Sequence, residues 1–160
     1  NRDSKETNNE RKVGGTVVKI REMEMDDLES VAVLEEELFQ VPWSLNGLFS
    51  FFLREDVCFF VAEEEGKLVG YCGIVTVLDE GDIVKVAVSG KYQRRGVGRR
   101  LLQGTMEKMR EKGVRVFHLE VRESNQAAVG LYEKLGFVRD GTRKNYYENP
   151  VEDAILMSGS

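Results

Sequence analysis

The chain has 160 residues, 41% of them apolar, and a formal net charge of −5 at pH 7. That length supports one domain with a packed core rather than two, and the acidic balance argues against general adhesion to nucleic acid. Two cysteines outside any CxxC pattern and the lack of a long apolar run argue against a disulfide framework and a spanning helix, so a reduced, soluble, cytoplasmic protein is expected.

Asn1 to Gly15 is polar, charged and aperiodic, and is expected to be a disordered or tag-derived leader ahead of a single domain over 16–160. Thr16 to Arg21 is a β-branched run that predicts the first strand. Asp26 and Asp27 follow, where a helix N-terminus favours negative charge, and Leu28, Val31, Leu34 and Leu38 then fall on one helical face. Glu35 to Glu37 lie mostly on the other face and are expected to be solvated. Pro42-Trp43-Ser44 breaks the pattern, with Ser44 as an N-cap and Leu45, Leu48, Phe49 and Phe52 as a second apolar stripe. This helix-break-helix excursion is suited to covering a cleft, although a lone Trp is equally at home in a core.

Val57 to Glu63 and Leu68 to Val77 read as a hairpin, and Asp82 to Val88 as the next strand. Beyond a loop, Val97, Leu101, Leu102, Thr105 and Met109 repeat at helical spacing up to Gly113. The near-continuous apolar run Val114 to Val121 predicts a strand parallel to the one before the helix. Ser124 is placed to cap a helix through Leu135, with Gly136 at its end, and Phe137 to Tyr147 and Val151 to Met157 predict two closing strands. The fold class is α+β, or mixed α/β: one largely antiparallel sheet with a parallel pair in its middle.

Between Asp82 and Glu107 there are six Lys or Arg and no acidic residue. Within that stretch an apolar strand, Val86-Ala87-Val88, runs into a glycine-punctuated cationic loop that opens into a helix. Such an order makes an anion site, because N–H groups at a helix start lack intrahelical partners and glycines admit a ligand close to them. A Walker A string is absent, and a dinucleotide fingerprint fails at Leu101, where its third Gly or Ala would stand. Gln93-Arg94-Arg95-Gly96-Val97-Gly98 instead fills the pattern Gln/Arg-x-x-Gly-x-Gly/Ala.

Two further residues suggest proton chemistry. Glu120 ends an apolar strand on the face shared by Val116 and His118, where parallel strands open; it serves either a catalytic task or an ion pair with a nearby arginine. Tyr132, between Leu131 and Leu135, is either a core residue with its hydroxyl at the rim or a proton donor. His118 is the only histidine and reads as a hydrogen-bonded core or rim residue; with two scattered cysteines it makes no zinc set.

The Gln93 to Gly98 string resembles the acetyl-coenzyme A pyrophosphate loop of the GNAT N-acetyltransferases. Leu119 to Asn125 and Leu131 to Phe137 are similar to the second half of that fold, which carries helices on both sheet faces. Pro42-Trp43-Ser44, Arg143-Lys144-Asn145-Tyr146-Tyr147 and Glu152-Asp153-Ala154 resemble the RimI branch, which acetylates the N-terminal alanine of a small-subunit ribosomal protein. The resemblance covers about residues 16–157.

It implies acetyl-coenzyme A as cosubstrate and no metal, a protein N-terminus as partner, and a monomer without direct nucleic-acid or membrane contact. It implies Glu120 as general base, through water, and Tyr132 as general acid. It implies coenzyme contacts from the backbone of Val86, Ala87 and Val88, from Arg94, Arg95, Gly96, Val97, Gly98 and Arg99, and from Asn125, while Trp43, Arg143, Tyr146 and Tyr147 border the acceptor. Ser89-Gly90 departs from the family's usual His-Pro or Asp-Pro, and Gly130 sits inside a helix. A GNAT enzyme for a small amine or a lysine side chain, and a non-enzymatic acyl-coenzyme A binding module, stand as alternatives.

Overall fold

The computed structural model describes residues 10–13 and 16–160. Eight strands, β1 (Glu10–Val13), β2 (Thr16–Glu22), β3 (Val57–Glu64), β4 (Lys67–Val77), β5 (Glu80–Val88), β6 (Val116–Arg122), β7 (Val138–Tyr147) and β8 (Glu152–Gly159), form one sheet in the order β1-β2-β3-β4-β5-β6-β8-β7. Most of the leader expectation falls outside the described residues. Within it, Glu10–Val13 pairs antiparallel with β2.

Four helices cover the sheet: α1 (Leu28–Leu38), α2 (Leu45–Phe52), α3 (Val97–Glu111) and α4 (Gln126–Lys134). A single-turn 3-10 segment, Met25–Asp27, leads into α1. Arg21 grips Asp27 there with Nη1 and Nη2 at 2.7 and 2.9 Å, and reaches Glu63 with Nε at 2.7 Å. The apolar stripes read from the sequence divide between two cores. Leu101, Leu102, Met106 and Met109 of α3 and Val129 of α4 pack with Ile20, Phe60, Ile74 and Phe117 on one face. Val31 and Leu34 of α1 and Leu48 of α2 pack with Phe59, Val61, Tyr71 and Ala87 on the other. β4 lies between these layers and is buried through most of its length, as a central strand must be.

One feature of the sheet creates the site. β5 and β6 pair in parallel only at Glu80↔Val116, Gly81↔Phe117 and Asp82↔His118. Beyond Asp82 the strands part, because β6 continues along β8 while β5 stays with β4. A β-bulge sharpens the parting: Gly73 of β4 faces Lys85 and the next residue, Ile74, faces Ile83, so Val84 has no partner of its own.

Two expectations are corrected. Asn125, not Ser124, caps α4, with its side-chain oxygen accepting from Ala128 N–H at 3.2 Å. Ser124 is engaged elsewhere, donating from its backbone N–H at 2.7 Å and its hydroxyl at 2.9 Å to Glu152. Within the Glu35 to Glu37 run, Glu36 and Glu37 are exposed as expected, but Glu35 is fully buried. Among the described residues no helix is long and apolar enough to cross a membrane.

Candidate active site

The parting of β5 and β6 leaves a groove of about 270 Å³ whose walls include Val84, Lys85 and Val86 on one side and Glu120, Val121 and Arg122 on the other. Asn125 at the cap of α4, Tyr132 within α4, Phe39 and Tyr147 complete it. A larger open cleft of about 640 Å³ adjoins it, bordered by Asp82, His118, Asp140, Arg143 and Tyr146. Glu120 and Tyr147 line both spaces, so Glu120 stands at their junction. Its place follows from strand alternation: Phe117, Leu119 and Val121 turn into the core, which directs His118 and Glu120 outward.

Arg143 Nη1 lies 3.5 Å from Glu120 Oε1, and Tyr146 borders the same cleft. Interaction with the Glu120 carboxylate is the main reason the Tyr146 phenol titrates above its ordinary value. Tyr132 is half-buried against the Phe137 ring, 5.9 Å between centroids. Burial, with smaller contributions from Cys72 and Tyr147, pushes its hydroxyl up to about 12. Tyr147 is likewise pushed up to about 12, by burial first and then by Glu120. Both phenols therefore stay protonated at neutral pH and can donate. Arg122 secures this corner, donating to the backbone carbonyls of Glu148 at 2.9 Å and Pro150 at 3.0 Å while lying over the Tyr147 ring.

At the other end of β5, the Gln93 side chain donates to the Val88 carbonyl at 3.0 Å and closes the turn beneath the cationic loop. Arg94 and Gly96 both have left-handed backbone, φ 63° and 83°, which turns the chain sharply into α3. Arg94, Arg95, Gly96 and Arg99 are exposed, whereas the Val97 side chain is buried, leaving only its backbone for a ligand. The first-turn N–H groups of α3 have no intrahelical acceptors and point out of the helix beside these arginines. Between loop and groove, the edge of β5 from Ile83 onward has no strand partner on the β6 side. An elongated ligand with phosphates at one end and amides along its length fits these groups: cationic side chains and free N–H groups for the first, an unpaired strand edge for the second.

The expected site residues divide accordingly. Glu120, Tyr132, Val86, Asn125 and Tyr147 come together around the groove, and Arg143 and Tyr146 border the cleft. Trp43 lines neither space. It packs against Phe51, with centroids 5.3 Å apart, and under Lys85, whose Nζ is 4.6 Å from its ring. Phe39 and Lys85 were not expected at the site; Phe39 breaks no pattern in the sequence, and the bulge that turns Lys85 toward α1 leaves no local signal. His118 is at the rim, 3.0 Å from Glu80 Oε1. Cys58 and Cys72 are free thiols, and burial pushes Cys72 up to about 12.

Residues 18–137 match the family model described as the Acetyltransferase (GNAT) family. The chain is 37% identical over 141 residues to the ribosomal protein bS18-alanine N-acetyltransferase of Escherichia coli (strain K12), covering 87% of this chain and 95% of that one. It is also 37% identical over 142 residues to the protein of the same name from Haemophilus influenzae, covering 87% and 96%. The crystal structure of the ribosomal-protein-S18-alanine N-acetyltransferase from Escherichia coli superposes with a TM-score of 0.81 at 36% identity, over 88% of this chain and 92% of that one. The fold thus agrees with the sequence comparisons, and the chain belongs to the GNAT family of acetyltransferases, with RimI enzymes among its relatives.

Proposed function

We propose that the protein transfers an acetyl group from acetyl-coenzyme A to the α-amino group of a protein N-terminus, with the N-terminal alanine of a small-subunit ribosomal protein as its acceptor. The observation that carries this reading is the position of Glu120, at the junction of the groove between the parted strands and the open cleft beside it, where a thioester and an amine can meet. The names of the relatives in Escherichia coli and Haemophilus influenzae support the choice of acceptor.

Arg94, Arg95 and Arg99, with the N–H groups of Gly96, Val97, Gly98 and Arg99, hold the coenzyme's phosphates. The backbone of Val86, Ala87 and Val88 offers hydrogen bonds to its pantetheine arm, and the Asn125 amide, whose oxygen is used in capping, retains its N–H donors for the same ligand. Bound there, acetyl-coenzyme A supplies an activated thioester carbonyl and a thiolate leaving group. An α-amino group has a pKa of roughly 7.7–8.0, so its neutral form is within easy reach at pH 7. Glu120, through a water, takes the proton that the amine must lose, and a backbone N–H of β5 stabilises charge on the carbonyl oxygen. The Tyr132 hydroxyl gives its proton to the departing sulfur. Arg143 holds Glu120 in place and, with Tyr146, borders the acceptor. The protein acts as a monomer in the cytoplasm, where its acceptor is made.

Mass spectrometry of an alanine-starting basic peptide after incubation with protein and acetyl-coenzyme A tests this. One added acetyl group at the α-amine is expected. Faster transfer to spermidine would instead select a small-amine acetyltransferase, and tight coenzyme binding without turnover would select a binding module.

A further inference from the structure

The buried Glu35 on α1 has a place in this site. Its Oε1 accepts from Trp43 N–H at 3.1 Å and from Lys85 Nζ at 3.3 Å. The Lys85 ammonium is also clasped by two rings, 3.7 Å from the centroid of Phe39 and 4.6 Å from that of Trp43. Lys85 is the residue immediately after unpaired Val84 and immediately before Val86, at the point where β5 leaves β6, and both it and Phe39 line the groove. Two residues beyond Glu35, Glu37 accepts from the Ser89 hydroxyl and from Gly90 N–H, each at 3.1 Å. The end of α1 is thereby fastened to β5 on both sides of Val86 to Val88.

A fully buried carboxylate is costly, and an ion pair of this kind often adds no more stability than apolar residues of similar volume. Its geometry has a consequence that apolar packing would not: one carboxylate oxygen fixes a groove-lining side chain and the backbone that leads into α2. We propose that Glu35 and Lys85 are positioning residues for the acceptor, setting the Phe39 ring and the Lys85 stem as the wall against which the acceptor N-terminus lies. This rests on the acetyl-transfer function proposed above.

The test compares Lys85→Met, Glu35→Gln and the double variant with the wild type. Coenzyme A affinity is measured by calorimetry, acceptor-peptide KM and kcat by steady-state kinetics, and folding by thermal melting. Lys85→Met is expected to melt cooperatively and to keep coenzyme affinity within about twofold, while acceptor KM rises about tenfold with kcat changed less than about threefold. The double variant is expected to be no worse than the poorer single variant, since both break one unit. A merely structural pair would weaken coenzyme and acceptor together, which overturns the proposal, as does an acceptor KM unchanged in a folded Lys85→Met. Should a single variant fail to fold, the double variant decides alone, because it leaves no unpaired buried charge and nearly retains the volume at the wall. A wild type that acetylates no peptide overturns the function and this proposal together; a wild type that turns over while its variants match it overturns this proposal only.

Discussion

Arg143 Nη1 stands 3.5 Å from Glu120 Oε1, tying the candidate base on β6 to the strand that borders the cleft. Both side chains are part-exposed, so the pair orients more than it stabilises. Glu120→Gln keeps the shape and a hydrogen-bonding oxygen for Arg143 but cannot take a proton. Steady-state assays are expected to give a kcat lower by about 10²–10⁴-fold, with coenzyme A affinity unchanged. Activity within a few-fold of the wild type would remove Glu120 from the mechanism.

Tyr132 provides a second, separable test. With its hydroxyl pushed up to about 12 by burial, it remains a donor over the whole working range. The wild-type kcat is therefore expected to show no alkaline fall between pH 7 and about pH 10, where an ordinary tyrosine would already be half ionised. Tyr132→Phe keeps the ring contact with Phe137 and is expected to lower kcat by about 10²-fold without lowering the melting temperature. An unchanged kcat would show that the leaving sulfur needs no donor from this residue.

The loop can be probed through its glycines. Gly96 has φ 83°, so Gly96→Ala forces a side chain into left-handed backbone at a cost of roughly 1–2 kcal/mol. A lower melting temperature and weaker coenzyme A binding by calorimetry are expected. Gly98→Ala is the control for stability: its Cβ would meet only Val88 Cγ2, at 3.6 Å, and the melting temperature should hold.

What the sequence made legible was local. Gln93, Gly96 and Gly98 announce their loop because glycine and arginine chemistry acts over a few residues, and strand alternation alone directs Glu120 outward. What it hid depends on partners far along the chain. Glu35 looked solvated because Lys85, fifty positions later, reaches it only through the β5 bulge. Ser124 and Asn125 are equally able caps; the choice is made by Glu152, which takes both Ser124 donors from β8. Trp43, expected to face the acceptor, turns inward to Phe51 and Lys85, and Phe39 takes the groove.

Gly130 lies in the interior of α4, and a Cβ there would meet nothing within 4 Å. Gly130→Ala is expected to stabilise the protein by roughly 0.4–1 kcal/mol, chiefly by restricting the unfolded chain. Chemical denaturation would show a higher midpoint at unchanged slope. A lower midpoint would mean that α4 needs the glycine for a reason its packing does not reveal.

Acid stability should report on the Arg21–Asp27 pair. Hydrogen bonding to Arg21, and less strongly to the Glu24 backbone, holds the Asp27 carboxyl below its ordinary value of 3.8, against the opposing effect of burial. A carboxyl whose folded pKa is depressed contributes stability that is fully present above its unfolded pKa and is lost as pH falls through its folded pKa. The melting temperature of wild type should therefore exceed that of Asp27→Asn by a full margin at about pH 6, and the margin should narrow as pH falls below about 4. Neutral Asn keeps one acceptor for Arg21 but has no proton to gain, so its own melting temperature lacks this contribution to the acid decline. A margin that widened on acidification would mean that Asp27 binds its proton more tightly in the folded chain than in the unfolded one, the reverse of what its contacts with Arg21 require.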